Sequence, residues 1–145
     1  MLKIIPAFRE QPGRLLLCAT NFIRSVDLAL LRHGRFDYVI PIGLPDDEAQ
    51  TALLQPFIPG TVIDQVDVDV LVKHTAGFTP ADIEFASRSA SQRALEQAVY
   101  DESDTRALKG PTTQDYLDSI ANTRATVSPA MAQEFLEDIE TIARR

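Results

Sequence analysis

The chain has 145 residues, 45% of them hydrophobic, a formal net charge of −7 and a single cysteine, Cys18. That length holds one ordinary domain, or a small domain plus a piece of another, and the composition excludes wholesale disorder. One cysteine excludes an internal disulfide framework, no run approaches the roughly 20 apolar residues needed to cross a bilayer, and Met1 to Arg9 lacks a secretory signal, so the expectation is a cytoplasmic protein with no membrane partner.

Charge is distributed unevenly. Residues 1–45 carry six basic and three acidic side chains, whereas the remainder carries eight basic and eighteen acidic ones. A small basic segment on an acidic body points to one particular anion contact, and a nucleic-acid partner is not expected.

In chain order, Leu2, Ile4, Ile5 and Phe8 predict the end of an apolar-faced helix stopped by Gln11-Pro12-Gly13. Leu15-Leu16-Leu17-Cys18-Ala19 is a short unbroken apolar run, the pattern of a strand buried on both faces; Cys18 is then a packing residue. Thr20-Asn21 end it, and Asp27 sits where an N-cap belongs for a short helix Leu28 to Arg32, broken by Gly34. Tyr38-Val39-Ile40-Pro41-Ile42 predicts a second strand, at a sheet edge because Pro41 has no amide to donate.

Beyond Gly43-Leu44-Pro45 only helices are expected. Asp46 and Asp47 cap one that runs to about Gln55; Val68, Leu71 and Val72 mark another, closed at Gly77. Thr79-Pro80 opens a longer helix, with Ile83, Ala86, Ala90, Ala94 and Ala98 on one face. Asp101 to Pro111 is an acidic loop, Thr112 caps the helix of Tyr116, Leu117 and Ile120, and Ser128-Pro129 opens the last, with Met131, Phe135, Ile139 and Ile142 inside. The fold class is therefore an α/β fragment followed by an all-α bundle. Two buried-type strands cannot cover their own faces and edges, so the strand-bearing part is expected to be poorly stabilised alone.

Cys18-Ala19-Thr20-Asn21, Asp27-Leu28-Ala29-Leu30-Leu31-Arg32 and Gly34-Arg35-Phe36-Asp37 resemble, in order and spacing, the second region of homology of AAA family ATPases. Ile42 to Asp46 extends the likeness into the start of the family's lid. Gly77-Phe78-Thr79-Pro80-Ala81-Asp82-Ile83 is similar to the Gly-x-Thr-Gly-Ala-Asp-Leu start of a lid helix. Arg124-Ala125-Thr126-Val127-Ser128 resembles the Arg-Pro-Ser/Thr-Val-Ser stretch of the valosin-containing-protein and meiotic-clade members.

The resemblance implies that residues 1–45 are the carboxyl-terminal piece of an αβα P-loop NTPase core and residues 46–145 a helical lid. It implies that Asn21 is sensor 1, an amide that can orient water and contact the terminal phosphate. It implies that Arg32 and Arg35 are arginine fingers acting in trans, as planar, permanently charged forks suited to phosphate oxygens. Asp37 would orient that loop, and Pro80 and Ala81 would lie near the adenine. Ile58 stands near the place of a lid histidine in some relatives, leaving that contact in doubt.

No Gly-x-x-x-x-Gly-Lys-Ser/Thr and no apolar strand ending in Asp-Glu occurs, so the chain alone is not expected to hold or hydrolyse ATP. No metal site is expected, and without His-Glu-x-x-His nothing in the sequence points to the family's membrane-protease branch. ATP or ADP with Mg2+ would be bound by the complete protein, in a homo-hexamer acting on a protein substrate, this chain working with a missing amino-terminal ATPase segment or intact AAA subunits. Two alternatives are a non-catalytic regulatory partner of an intact AAA ATPase, and a helical interaction module.

Overall fold

In the computed structural model, residues 12–100 and 110–142 are described, together with Ile5 and Phe8. The expected helix over Leu2 to Phe8 and the acidic loop from Asp101 lie largely outside these residues. The chain divides into two compact units, Gly43–Met131 and Met1–Ile42 with Ala132–Arg145.

The unit Gly43–Met131 holds four helices: α1 (Asp47–Leu54), α2 (Val68–His74), α3 (Pro80–Tyr100) and α4 (Thr113–Ala121). Each starts where a polar side chain can satisfy a free first-turn amide. Asp46 accepts from the Ala49 amide at 2.9 Å and Asp67 from the Val70 amide at 3.1 Å. Thr112 and Asp115 cap α4 reciprocally. After α2, Gly77 takes φ +83°, a conformation that resists any side chain, and turns the chain into α3.

These helices close around Leu54, Leu71, Ile83, Ala86, Ala90 and Tyr116, the last only 1% exposed. Ala86 and Ala90 are small enough for α3 to lie close to its neighbours, and α4 is its chief packing partner. The expected inner face of α3 holds through Ala90 but loosens at Ala94 and Ala98, which are half-buried. Buried polar groups are mostly paired: the Thr75 hydroxyl donates to Gln50 Oε1 at 2.7 Å, the Gln50 amide donates to the Pro45 carbonyl, and the Tyr116 hydroxyl to the Phe57 carbonyl at 2.9 Å.

The second unit departs from expectation. Neither Leu15–Ala19 nor Tyr38–Ile42 is a strand; among the described residues only Val39 makes an isolated bridge. Leu15 is 86% exposed and Ile42 88%, and Cys18, expected in a packed interior, is exposed too. The correction has a simple physical cause. A strand exists only through a neighbour that takes its amides and carbonyls, and the described residues offer these two apolar segments none.

The expected helix Leu28–Arg32 is instead a series of turns, preceded by a 3-10 turn, Ile23–Ser25. The final helix, α5 (Pro129–Ile142), begins as expected with Ser128 accepting from the Met131 amide at 3.2 Å. Its expected inner face is thin, however. Met131 is exposed, Phe135, Ile139 and Ile142 are half-buried, and no residue of α5 is fully buried.

Candidate functional site

Residues 27–37 form a loop threaded by short-range bonds. Asp27 Oδ1 accepts from the Ala29 amide at 2.8 Å, and the Asp27 carbonyl accepts from the Leu30 amide at 2.7 Å. A carboxylate reaching two residues forward favours a turn over a helix here. The Phe36 amide then donates back to the Leu30 carbonyl at 3.2 Å, so the loop returns on itself. At its tip Gly34 adopts φ +87°, and its amide donates to Asp37 Oδ1 at 2.6 Å.

This architecture treats the two arginines differently. Arg35 is half-buried, its guanidinium donating to the Ala29 carbonyl inside the loop. Arg32 is exposed, and among the described residues its guanidinium has no hydrogen bond or ion pair. The loop thus fixes one guanidinium as an internal brace and presents the other to solvent. The Arg32 side chain borders a shallow pocket of about 310 Å3 with Leu28, Leu31, Thr141 and Ile142. Asn21 is exposed at a bend where the Thr20 hydroxyl accepts from the Phe22 amide at 3.0 Å. No hydrogen bond among the described residues joins Asn21 to Arg32 or Arg35, in keeping with separate roles for the sensor and the trans-acting arginines implied by the resemblance.

A second constellation lies at the start of α3. Asp82 Oδ2 accepts from the Thr79 amide (2.9 Å), the Thr79 hydroxyl (2.8 Å) and the Thr126 amide (3.1 Å), while Oδ1 accepts from the Thr126 hydroxyl at 2.5 Å. Burial alone would raise the Asp82 pKa, but these hydrogen bonds from Thr126 and Thr79 outweigh it and hold the carboxyl below its ordinary 3.8. Asp82 therefore ties together the two stretches singled out in the sequence, 77–83 and 124–128. Sequence spacing could not reveal this contact, since 44 residues separate the partners.

Pro80 and Ala81 are exposed on the first turn of the same helix. Pro80 has no amide to offer, and the nearby carboxylate is buried and committed to threonines. This turn is therefore poorly suited to a phosphate. Ile58 is buried in the core, so no base or ribose contact arises from it.

Sequence reasoning missed Arg24. Its guanidinium meets Glu134 at 2.7 Å, Glu137 at 3.3 Å and Asp138 at 2.6 Å, all on α5. The hydrogen bond to Asp138 leads in raising the Arg24 pKa further, so it stays charged at any ordinary pH. Only the acidic i, i+3, i+4 spacing of Glu134, Glu137 and Asp138 hinted at a docking face.

Among the described residues no group of His, Cys, Asp or Glu could hold a metal ion, and no helix is long and apolar enough to cross a membrane.

No family model matches the chain. In sequence it is 35% identical over 94 residues to the ATP-dependent zinc metalloprotease YME1L of Drosophila melanogaster, covering 65% of this chain and 13% of that protein. It is 35% identical over 119 residues to the ATP-dependent zinc metalloprotease FtsH of Rhodococcus erythropolis, covering 77% of this chain and 14% of that protein. Protein CdcH of Halobacterium salinarum is 42% identical over 82 residues, 56% of this chain and 11% of that protein. The chain thus spans less than a fifth of these relatives.

In fold it matches the FIGL-1 AAA domain, solved in complex with ADP, with a TM-score of 0.70 and 19% identity over 87% of this chain and 44% of that one. Metalloproteases among the relatives correct the weight placed on the missing His-Glu-x-x-His: the likeness is to a segment of those proteins, and its absence from these 145 residues does not separate the chain from them. In sequence and fold the chain corresponds to the carboxyl-terminal region of an AAA ATPase domain.

Proposed function

We propose that this chain, similar to the carboxyl-terminal region of AAA ATPases, is the part of an ATP-driven remodelling motor that reads and completes a nucleotide site without holding the phosphates itself. Arg32 is the finger offered to a triphosphate bound by a neighbouring subunit. Arg35 braces the loop that carries it, and Asn21 takes the sensor role once its segment is paired in a sheet. The observation that carries this reading is the contrast within residues 27–37: one guanidinium bonded into the loop, the other exposed and uncommitted. A fork of fixed charge presented in this way suits charge developing on phosphoryl oxygens.

ATP or ADP with Mg2+ would be held by phosphate-binding and acidic residues outside this sequence, in a hexamer that acts on a protein. The exposed Pro80-Ala81 turn would receive the base. The finer kinship, to valosin-containing-protein and meiotic-clade motors, rests on residues 124–128, whose Thr126 supports the lid start through Asp82. The test is complementation. An AAA ATPase subunit stripped of its own fingers is mixed with the chain, and ATP hydrolysis is followed. The expected result is a rate that rises with added chain and is lost with Arg32→Ala; no rise with the intact chain would overturn the proposal.

The uncommitted Arg32 also favours the second reading, a non-catalytic partner that lends its arginine to intact AAA subunits. There the chain changes the rate of an unmodified ATPase as well, which a piece that works only within its own polypeptide does not.

A further inference from the structure

Within the unit formed by residues 1–42 and 132–145, two features meet on α5. Near its middle, Glu134, Glu137 and Asp138 converge on the Arg24 guanidinium, which also donates to the Glu134 carbonyl at 3.3 Å. Near its end, Thr141 and Ile142 wall the pocket bordered by Arg32 with Leu28 and Leu31. Leu31 is buried, whereas no residue of α5 is, so apolar packing gives α5 only a shallow seat.

We infer that α5 is a strap fastened by Arg24, and that fastening it positions the arginine loop. Arg24 lies three residues after Asn21 and three before Asp27, whose carboxylate begins the loop. A guanidinium satisfying three carboxylates on one helix face fixes that helix in rotation as well as distance. Thr141 and Ile142 then wall the pocket that Arg32 borders, and Arg32 itself stays exposed. With the strap released, Leu28, Leu31 and Arg32 lose that wall. Arg24 is thus a positioning residue acting through α5.

The fastening is ionic and exposed, so it responds to salt. The Debye length falls from about 10 Å at 0.1 M to about 3 Å at 1 M, comparable to the separations in the clamp. The strap itself does not depend on the finger reading; only the consequence for a neighbour's nucleotide rests on it.

The test is hydrogen exchange on the full chain, read for the amides of residues 27–36 and of α5, at low and high salt. Arg24→Ala is expected to speed exchange in both segments by about threefold or more, leaving α1 to α4 unchanged. High salt should do the same to the unsubstituted chain. Glu134→Gln with Glu137→Gln and Asp138→Asn attacks the clamp from the other side and should match Arg24→Ala. A charge exchange, Arg24→Asp with Asp138→Arg, should restore protection in part. Unchanged α5 exchange in both clamp variants would overturn the strap, and a loosened α5 beside an unchanged loop would overturn its positioning role. No nucleotide enters the measurement, so a failure here is distinct from a failed complementation.

Discussion

Asp82 is the residue where charge, burial and long-range contact coincide. The residue is 6% exposed, and its carboxylate is reached by two hydroxyls and two amides. Removing a buried charged acceptor leaves those donors unmatched, and Asp82→Ala is expected to cost roughly 1.5–3 kcal/mol in urea unfolding. The pH dependence follows from the lowered pKa. In the unfolded chain Asp82 titrates near 3.8, in the folded chain below it. Its stabilising contribution is therefore complete above pH 4 or so, and is lost as pH falls through the folded-state value. Unfolding curves for Asp82→Asn should accordingly lack the part of the acid destabilisation that the parent shows below that point. Gly34 poses a local question of a different kind: at φ +87° an alanine is strained by roughly 1–2 kcal/mol. Gly34→Ala should reduce complementation of a finger-deficient ATPase while leaving the melting of the helical unit unchanged.

At the scale of elements, what was legible in the sequence was whatever local chemistry decides. Asp46, Thr79, Thr112 and Ser128 marked helix starts because a short polar side chain satisfies its own helix's amides, and the helices begin beside them. The strands failed for the converse reason. Leu15–Ala19 has a strand's composition, but a strand needs a pairing neighbour, and among the described residues these apolar side chains have none and remain exposed. The residues 28–32 misled because Asp27 is an equally good Asx-turn residue. Arg24 and the Asp82–Thr126 bond join distant parts of the sequence, which no periodicity reports. A contrast in stability follows. Leu71 is wholly buried, so Leu71→Ala should cost roughly 2–5 kcal/mol and melt α1 to α4 together. Amides of residues 14–22 and 38–44 should exchange quickly in the parent chain itself; protection there matching that of α3 would contradict the account.

At the scale of the whole chain, each of the two compact units carries one element of the proposed function. One presents Arg32 on a braced loop; the other offers an exposed first turn of α3 anchored by Asp82. Neither holds a phosphate-binding loop. The central claim is that Arg32 is shaped for charge held in another subunit's site, and differential binding tests it most directly. The measurement is the affinity of the chain for an AAA ATPase loaded with ADP plus a metal-fluoride mimic of the transferring phosphoryl group, against the same ATPase loaded with ADP alone. Tighter binding to the mimic, abolished by Arg32→Ala, is the predicted result. Equal affinity for the two states, or a preference that survives the substitution, would contradict it.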